Sequence, residues 1–381
     1  MLSVPMYDPT IQFNENKINY MEKINKVLSG GCFINGPEIK EIEEKLSEYV
    51  NVKHAIAVSS GTDALLIALM SIMDICETNL EVITVPFTWI STAEVIKLLG
   101  FKPVFCDVDK DTFNMDPLSL QNFITEKTKV VIPVSIFGQI YEVDKIKEIV
   151  KNAEIKYNTK IYIIEDAAQS FGSIDKLGRK SCSVSDIGCT SFFPSKPLGC
   201  FGDGGMCFTN NDELANKMKM IRNHGCIERY NYKCIGINGR LDTLQAAILL
   251  VKFEDFENSL NKRIMNAKKY NIAFSKLPLK IPFISNCSKH VYAQYTIQLN
   301  NEKTRNDLLK YLNTNKIGNG IFYPVCLHLV DVITKDYKEE SLPISEKLAK
   351  RVLSIPIYSE LTDIEIDLVI YHITNFFINY I

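Results

Sequence analysis

The sequence predicts an α/β fold: a large domain with a mostly parallel sheet flanked by helices, followed by a smaller C-terminal α+β domain. Short apolar runs alternate with helix-length segments from Pro37 to about residue 250. The runs are apolar almost throughout, the pattern of parallel strands buried on both faces. Beyond residue 250 the rhythm changes to polar-edged helices and one strand of alternating polarity. The expected division is 1–255 for the large domain, including an N-terminal helical segment, and 256–381 for the smaller one.

Each element has its own warrant. Pro37 opens PEIKEIEEKLSEYV, where Ile39, Ile42, Leu46 and Tyr49 recur at helical spacing. AIAVSS reads as a buried strand and GTDALLIALMSIM as a helix apolar on most sides. EVITVPF is the next strand, and STAEVIKLLG a helix with Gly100 at its C′ position. KPVFCDV, TKVVIPVSIFG and KIYIIED continue the strand series. In the smaller domain NKRIMNAKKYNIAFSKL, EKTRNDLLKYLNTN and SEKLAKRVLS read as helices, and VYAQYTIQL as a half-exposed antiparallel strand.

Composition excludes several functions. A net charge of −2 offers nucleic acid or an anionic membrane no overall attraction. The opening MLSVPMYDPTIQFNENK lacks the charged and apolar regions of a signal peptide. No run of ~18 apolar residues marks a membrane span. The eleven cysteines are odd in number and include no CxxC pair, with Cys106, Cys189 and Cys207 in apolar runs. They read as buried free thiols of a reducing cytoplasm. The five histidines have no zinc-binding spacing, and no metal is expected.

Ligands of open α/β sheets bind at the carboxyl ends of the strands, so the residues after each apolar run matter most. After AIAV come Ser59, Ser60, Gly61 and Thr62, either an anion-binding turn or a plain helix cap. After KIYII come Glu165 and Asp166, able to cap a helix, bind a metal, orient a base or pair with a cationic ring nitrogen. After DIGCT come Ser191 and then Lys196, set among Phe192, Phe193, Pro194 and Pro197. A lysine in such a setting is either an ordinary ion-paired side chain or a desolvated amine, whose neutral form is the nucleophile of a Schiff base. An anion cradle, an acid and a lysine in this order are the parts a pyridoxal phosphate site requires.

Taken in order, GPEIKEIEEKLSEYV, SSGTDALLIAL, PFTWISTAEVI, IPVSIFGQ, IEDAAQSFG, SFFPSKPLGCFGDGG, RNHG, GINGRLDTLQAAIL and FYPVCLH resemble the DegT/DnrJ/EryC1/StrS nucleotide-sugar aminotransferases. The similarity runs through nearly the whole chain and implies the fold-type I pyridoxal phosphate architecture. By resemblance Lys196 holds the cofactor as a Schiff base and shuttles a proton, cycling it through pyridoxamine 5′-phosphate. Asp166 meets the pyridine nitrogen, Gln169 the ring, and Trp89 stacks on it. Gly61, Thr62 and Ser191 hold the phosphate. Asn238 and Arg240 reach the neighbouring site of a homodimer, Asn238 toward the cofactor and Arg240 toward substrate. Tyr323 and His328 meet the nucleotide-sugar. The amino donor implied is L-glutamate, released as 2-oxoglutarate.

Two positions depart from the family. Ser135 stands where a histidine is frequent and receives no role. Gly239 replaces the serine of an Asn-Ser-Arg triplet but leaves Asn238 and Arg240 in place. Members that dehydrate sugars carry histidine at the lysine position, so Lys196 implies amination. A silent binding homologue is expected to lose Lys196, Asp166 or Asn238, and all three are present. Phe193, Leu198, Gly199 and Asp203 follow the pattern of enzymes acting on 3-ketosugars. The run RKSCSVSDIGCTSFFPSKPLGCFGDGG most resembles the group acting on UDP-2-acetamido-2-deoxy-3-oxo-glucuronate. The substrate implied is a UDP-linked 2-acetamido-3-keto sugar destined for surface glycans, with a dTDP-3-keto-6-deoxyhexose or a 4-ketosugar as alternatives.

Overall fold

A computed structural model of the chain describes residues 3–73, 79–285, 287–334 and 341–380. Helices α1 (Pro9–Glu15), α2 (Lys17–Gly30) and α3 (Pro37–Val50) lead into β1 (His54–Val58) and α4 (Gly61–Ile72). Then come β2 (Glu81–Thr84), α5 (Ser91–Leu98), β3 (Lys102–Phe105), α6 (Pro117–Phe123), β4 (Thr128–Val131), α7 (Val143–Tyr157) and β5 (Tyr162–Asp166). A two-residue β6 (Ile174–Asp175) precedes β7 (Ile187–Ser191), β8 (Gly205–Thr209) and α8 (Asp212–Arg222).

Seven of these strands form one sheet in the order β1-β8-β7-β5-β4-β2-β3. All neighbours from β7 to β3 pair in parallel, whereas β8 is antiparallel to both β1 and β7. The carboxyl ends of β1, β2, β5 and β7 therefore share one edge, and β8 begins there. Successive side chains leave opposite faces of a strand. Ile56, Val82, Val130 and Ile164 enter one core with α4 and α8, while Ile83, Val131 and Ile163 enter another with α7. Ala55, Ala57, Met206 and Phe208 pack against α3. Helix α5 ends as its sequence predicts, with Gly100 at φ 78°, a left-handed position that glycine occupies without a Cβ penalty.

A short hairpin, β9 (Cys226–Glu228) and β10 (Asn231–Tyr232), leads to α9 (Thr243–Glu254) and α10 (Phe256–Phe274). Helix α10 serves two cores: Phe256 and Leu260 pack with α3, while Ala267, Tyr270 and Phe274 pack in the C-terminal unit. That unit holds β11 (Leu279–Lys280), β12 (Cys287–Lys289), β13 (Tyr295–Leu299), α11 (Glu302–Thr314), α12 (Asp331–Thr334), α13 (Pro343–Ala349), β14 (Val352–Ile355) and α14 (Asp363–Tyr380). Its sheet is antiparallel, in the order β11-β13-β14. Val4 packs in the same core and bridges Ile317. Among the described residues no helix is long and apolar enough to cross a membrane.

Three expectations need correction. The helix predicted over SEKLAKRVLS stops at Ala349, and Val352–Ile355 is a strand, because Val352, Leu353 and Ile355 are buried and pair with β13. Strand β13 is not half-exposed: four of its five residues are buried, as it lies between β11 and β14. The cysteines are not uniformly buried either. Cys106, Cys182, Cys189, Cys200, Cys207 and Cys326 are, but Cys32 and Cys234 are exposed.

Candidate active site

The common strand edge gathers side chains from four chain segments. At the end of β1, the Ser60 hydroxyl accepts from the Asp63 amide and caps α4. The capping residue is thus Ser60, which leaves Thr62 for another partner. Thr62 Oγ1 and Ser91 Oγ share a hydrogen bond of 2.7 Å. The positive end of α4 begins at Gly61 and Thr62 beside Ser191, a setting that favours an anion. A Cβ on Gly61 would lie 2.6 Å from Ser191 Cβ, so glycine is what lets the helix start this near β7. The Ser191 hydroxyl accepts from the Phe193 amide at 3.2 Å.

Asp166 closes β5 and is 6% exposed. No helix follows, so it is not a cap. Its Oδ2 accepts from Thr92 Oγ1 at 2.7 Å and its Oδ1 from the Ala168 amide at 3.2 Å. Burial pushes this carboxyl upward against those two donors and the charge of Lys196. The preceding Glu165 projects the other way. It is fully buried and accepts from Ser135 Oγ (2.7 Å), Ser181 Oγ (2.9 Å) and the Cys182 amide (2.7 Å). Ser135, to which the sequence assigned nothing, is thus a donor to a buried carboxylate.

Lys196 lies on the turn after β7, its amide donating to the Phe193 carbonyl at 2.8 Å. Burial of its amine pulls the pKa down to about 8, with the Asp166 charge opposing. Desolvation thus outweighs the opposing charge of Asp166 and brings the neutral amine closer to neutral pH.

Gln169 is buried, accepts from the Phe137 amide (2.8 Å) and donates from Nε2 to the Tyr323 hydroxyl (2.9 Å). Tyr323 therefore reaches the site across 154 residues of sequence. Trp89 is 61% exposed, with its ring centroid 6.3 Å from that of Tyr323. The Trp89 ring is thus a largely open aromatic face and not a core element.

Three predicted residues lie differently from the rest. The Ser59 amide donates to the Gly239 carbonyl at 2.9 Å, so the Asn238–Arg240 segment lies beside the β1–α4 turn of its own chain. Asn238 is exposed. Arg240 donates from Nη1 to Asn223 Oδ1 at 2.7 Å, and its buried Nε has no partner among the described residues. His328 is buried, with Nε2 3.3 Å from Glu346 Oε1. It faces the start of α13, not the open edge. Sequence reasoning missed Ser91 and Thr92, whose only local signal was a pair of hydroxyls opening a helix, and it did not separate Glu165 from Asp166.

This donor set fits pyridoxal phosphate. A buried carboxylate retains acceptor capacity beyond its two protein donors, a desolvated lysine lies within its field, and hydroxyls flank a helix N-terminus. The chain matches the DegT/DnrJ/EryC1/StrS aminotransferase family over residues 14–374. It is 42% identical to the UDP-2-acetamido-2-deoxy-3-oxo-D-glucuronate aminotransferase of Pseudomonas aeruginosa, covering 92% of this chain and 94% of that one. It is 37% identical to a pleiotropic regulatory protein of Geobacillus stearothermophilus, covering 99% of both. The structure of Streptomyces venezuelae DesV in complex with a ketimine intermediate superposes with a TM-score of 0.92 at 30% identity, covering 99% of both chains. With the lysine, the acid and the glycine cradle assembled on such a sheet, the chain belongs to the DegT/DnrJ/EryC1/StrS family of pyridoxal phosphate-dependent aminotransferases.

Proposed function

We propose that this chain transfers an amino group from L-glutamate to C3 of a nucleotide-linked 3-ketosugar, a UDP-linked 2-acetamido-2-deoxy-3-keto sugar, for surface glycans. The observation that carries the reading is the meeting at one sheet edge of Lys196, after β7, with the buried Asp166 at the end of β5 and the Gly61–Ser191 cradle at the start of α4. Phe193, Leu198, Gly199 and Asp203, together with the named activity of the Pseudomonas relative, support the 3-keto sugar. A regulatory role without catalysis, raised by the name of the Geobacillus relative, leaves that lysine–aspartate pair unexplained.

When bound, pyridoxal phosphate supplies the aldehyde and the electron-accepting ring. The protein's own groups do the rest. The neutral Lys196 Nζ is the nucleophile that holds the cofactor. The same amine, when free, would be the base that takes the α-proton of the amino donor and the acid that gives it back. Asp166 holds a proton on the ring nitrogen through its charge, and Thr92 and the Ala168 amide keep the carboxylate oriented. Gly61, Thr62 and Ser191 hold the phosphate at the start of α4. Gln169, which donates to the Tyr323 hydroxyl, would meet the ring, and Trp89 would stack on it.

The protein is a homodimer in this reading. Asn238 reaches the partner's cofactor, and Arg240 uses its unpartnered Nε on the substrate side. Tyr323 meets the nucleotide-sugar, and His328 supports that surface from behind through Glu346. The two domains divide at 255/256, where α10 begins and ties both cores together. The enzyme works in the cytoplasm, where its buried thiols stay reduced.

Borohydride reduction of protein loaded with pyridoxal phosphate, followed by peptide mass spectrometry, tests the assignment. The reduced cofactor is expected on Lys196, and none on the Lys196→Ala chain. A label elsewhere, or uptake without any reducible bond, contradicts it.

A further inference from the structure

We infer that Ser91 and Thr92, consecutive residues at the start of α5, are a positioning pair that fixes the phosphate turn and the ring acid in one frame. The inference rests on the pyridoxal phosphate reading above; neither residue has been given a role by the sequence motifs.

Thr92 is fully buried, and its hydroxyl has one proton to give. Asp166 Oδ2 lies 2.7 Å away, whereas the competing Trp89 carbonyl is at 3.4 Å and Thr88 Oγ1 at 3.5 Å. The short, charge-assisted bond wins. Ser91, 7% exposed, turns to the other side and shares its 2.7 Å bond with Thr62 Oγ1. Asp166 ends β5, and Thr62 lies in the first turn of α4. These segments are far apart in sequence, yet each is tied to the next residue of a single helical turn. The Trp89 carbonyl also accepts from the Thr92 amide at 3.4 Å, so the aromatic surface hangs from the same turn.

The geometry has a chemical consequence. A neutral hydroxyl stabilises the Asp166 carboxylate without neutralising it, and so leaves its charge free to hold a proton on a ring nitrogen. It also opposes the burial that pushes this carboxyl upward. A lysine or arginine at position 92 would take that charge for itself. Ser91 acts differently: it holds the Thr62 hydroxyl and touches nothing on the acid.

The test uses four full-length chains, wild type, Thr92→Val, Thr92→Ser and Ser91→Ala, each confirmed folded by thermal unfolding. The cofactor-free proteins are titrated with pyridoxal phosphate, and the visible absorption of the loaded proteins is followed against pH. Thr92→Val should weaken cofactor binding about tenfold and move the midpoint of the absorption titration by about one pH unit. Thr92→Ser, which keeps the hydroxyl, should restore both. Ser91→Ala should weaken binding of the cofactor while leaving the midpoint where wild type has it. If Thr92→Val matches wild type in affinity and midpoint, or Thr92→Ser behaves like Thr92→Val, the inference is overturned and the function reading stands. A wild-type protein that takes up no pyridoxal phosphate overturns that reading, and this inference with it.

Discussion

Gly61 and Ser191 approach so closely that a Cβ added to Gly61 would sit 2.6 Å from Ser191 Cβ and 3.2 Å from its Cα. Neither atom is the end of a flexible side chain, so Gly61→Ala must push α4 away from β7. The expected result is a loss of about 1–3 kcal/mol in stability and a weaker hold on pyridoxal phosphate. Adding Ser191→Gly should recover stability in urea unfolding but not affinity, because the hydroxyl is then gone.

Lys196 makes the cofactor-free protein pH-sensitive in a defined window. Its folded pKa is about 8 against 10.5 for the free side chain. Below 8 both states carry the proton, and the full cost of burying the charge is present. Between 8 and 10.5 the unfolded chain is protonated and the folded one is not, so stability rises with pH. The gain is at most on the order of 3 kcal/mol. Lys196→Met should abolish this rise in unfolding curves recorded across the window. In the wild type, the rate of cofactor uptake should climb with pH around a midpoint near 8.

Ser135 supplies one of three hydrogen bonds to the fully buried Glu165. Removing one donor from a buried carboxylate costs about 1–3 kcal/mol. Ser135→Ala should therefore lower the unfolding free energy by that amount while leaving the affinity for pyridoxal phosphate unchanged. A changed affinity with unchanged stability would place Ser135 in the site.

Tyr323 accepts from Gln169 Nε2, and Gln169 is held on its other side by the Phe137 amide. Tyr323→Phe deletes the acceptor while keeping the ring beside Trp89. Steady-state kinetics should show a raised KM for the nucleotide-sugar, about tenfold if one hydrogen bond aligns it. The KM for the amino donor should change far less. An equal rise in both would show that Tyr323 serves Gln169 and the cofactor instead.

The main sheet and the site were legible to different depths. Parallel strands buried on both faces leave a continuous apolar run, so β1 to β5 stand out; Gly61 past β1, Asp166 at the end of β5 and Lys196 past β7 were singled out by position, while their roles came from the family resemblance. Direction is not encoded in such a run, and the antiparallel insertion of β8 between β1 and β7 had no local signal. The strand Val352–Ile355 looked helical because the preceding helix continues its pattern; its burial against β13 decides otherwise. Tyr323 on Gln169 and Thr92 on Asp166 are tertiary contacts, and periodicity carries no information about them. The burial of His328 on Glu346 belongs to the same class.

The most direct measurement runs the reaction in reverse. The holoenzyme is incubated with 2-oxoglutarate and a panel of UDP- and dTDP-linked 3-amino and 4-amino sugars, and glutamate is quantified. The account predicts glutamate from a UDP-linked 3-amino-2-acetamido sugar, with none from the Lys196→Ala protein. Glutamate from 4-amino sugars alone, or from no sugar while the cofactor is bound, would contradict it.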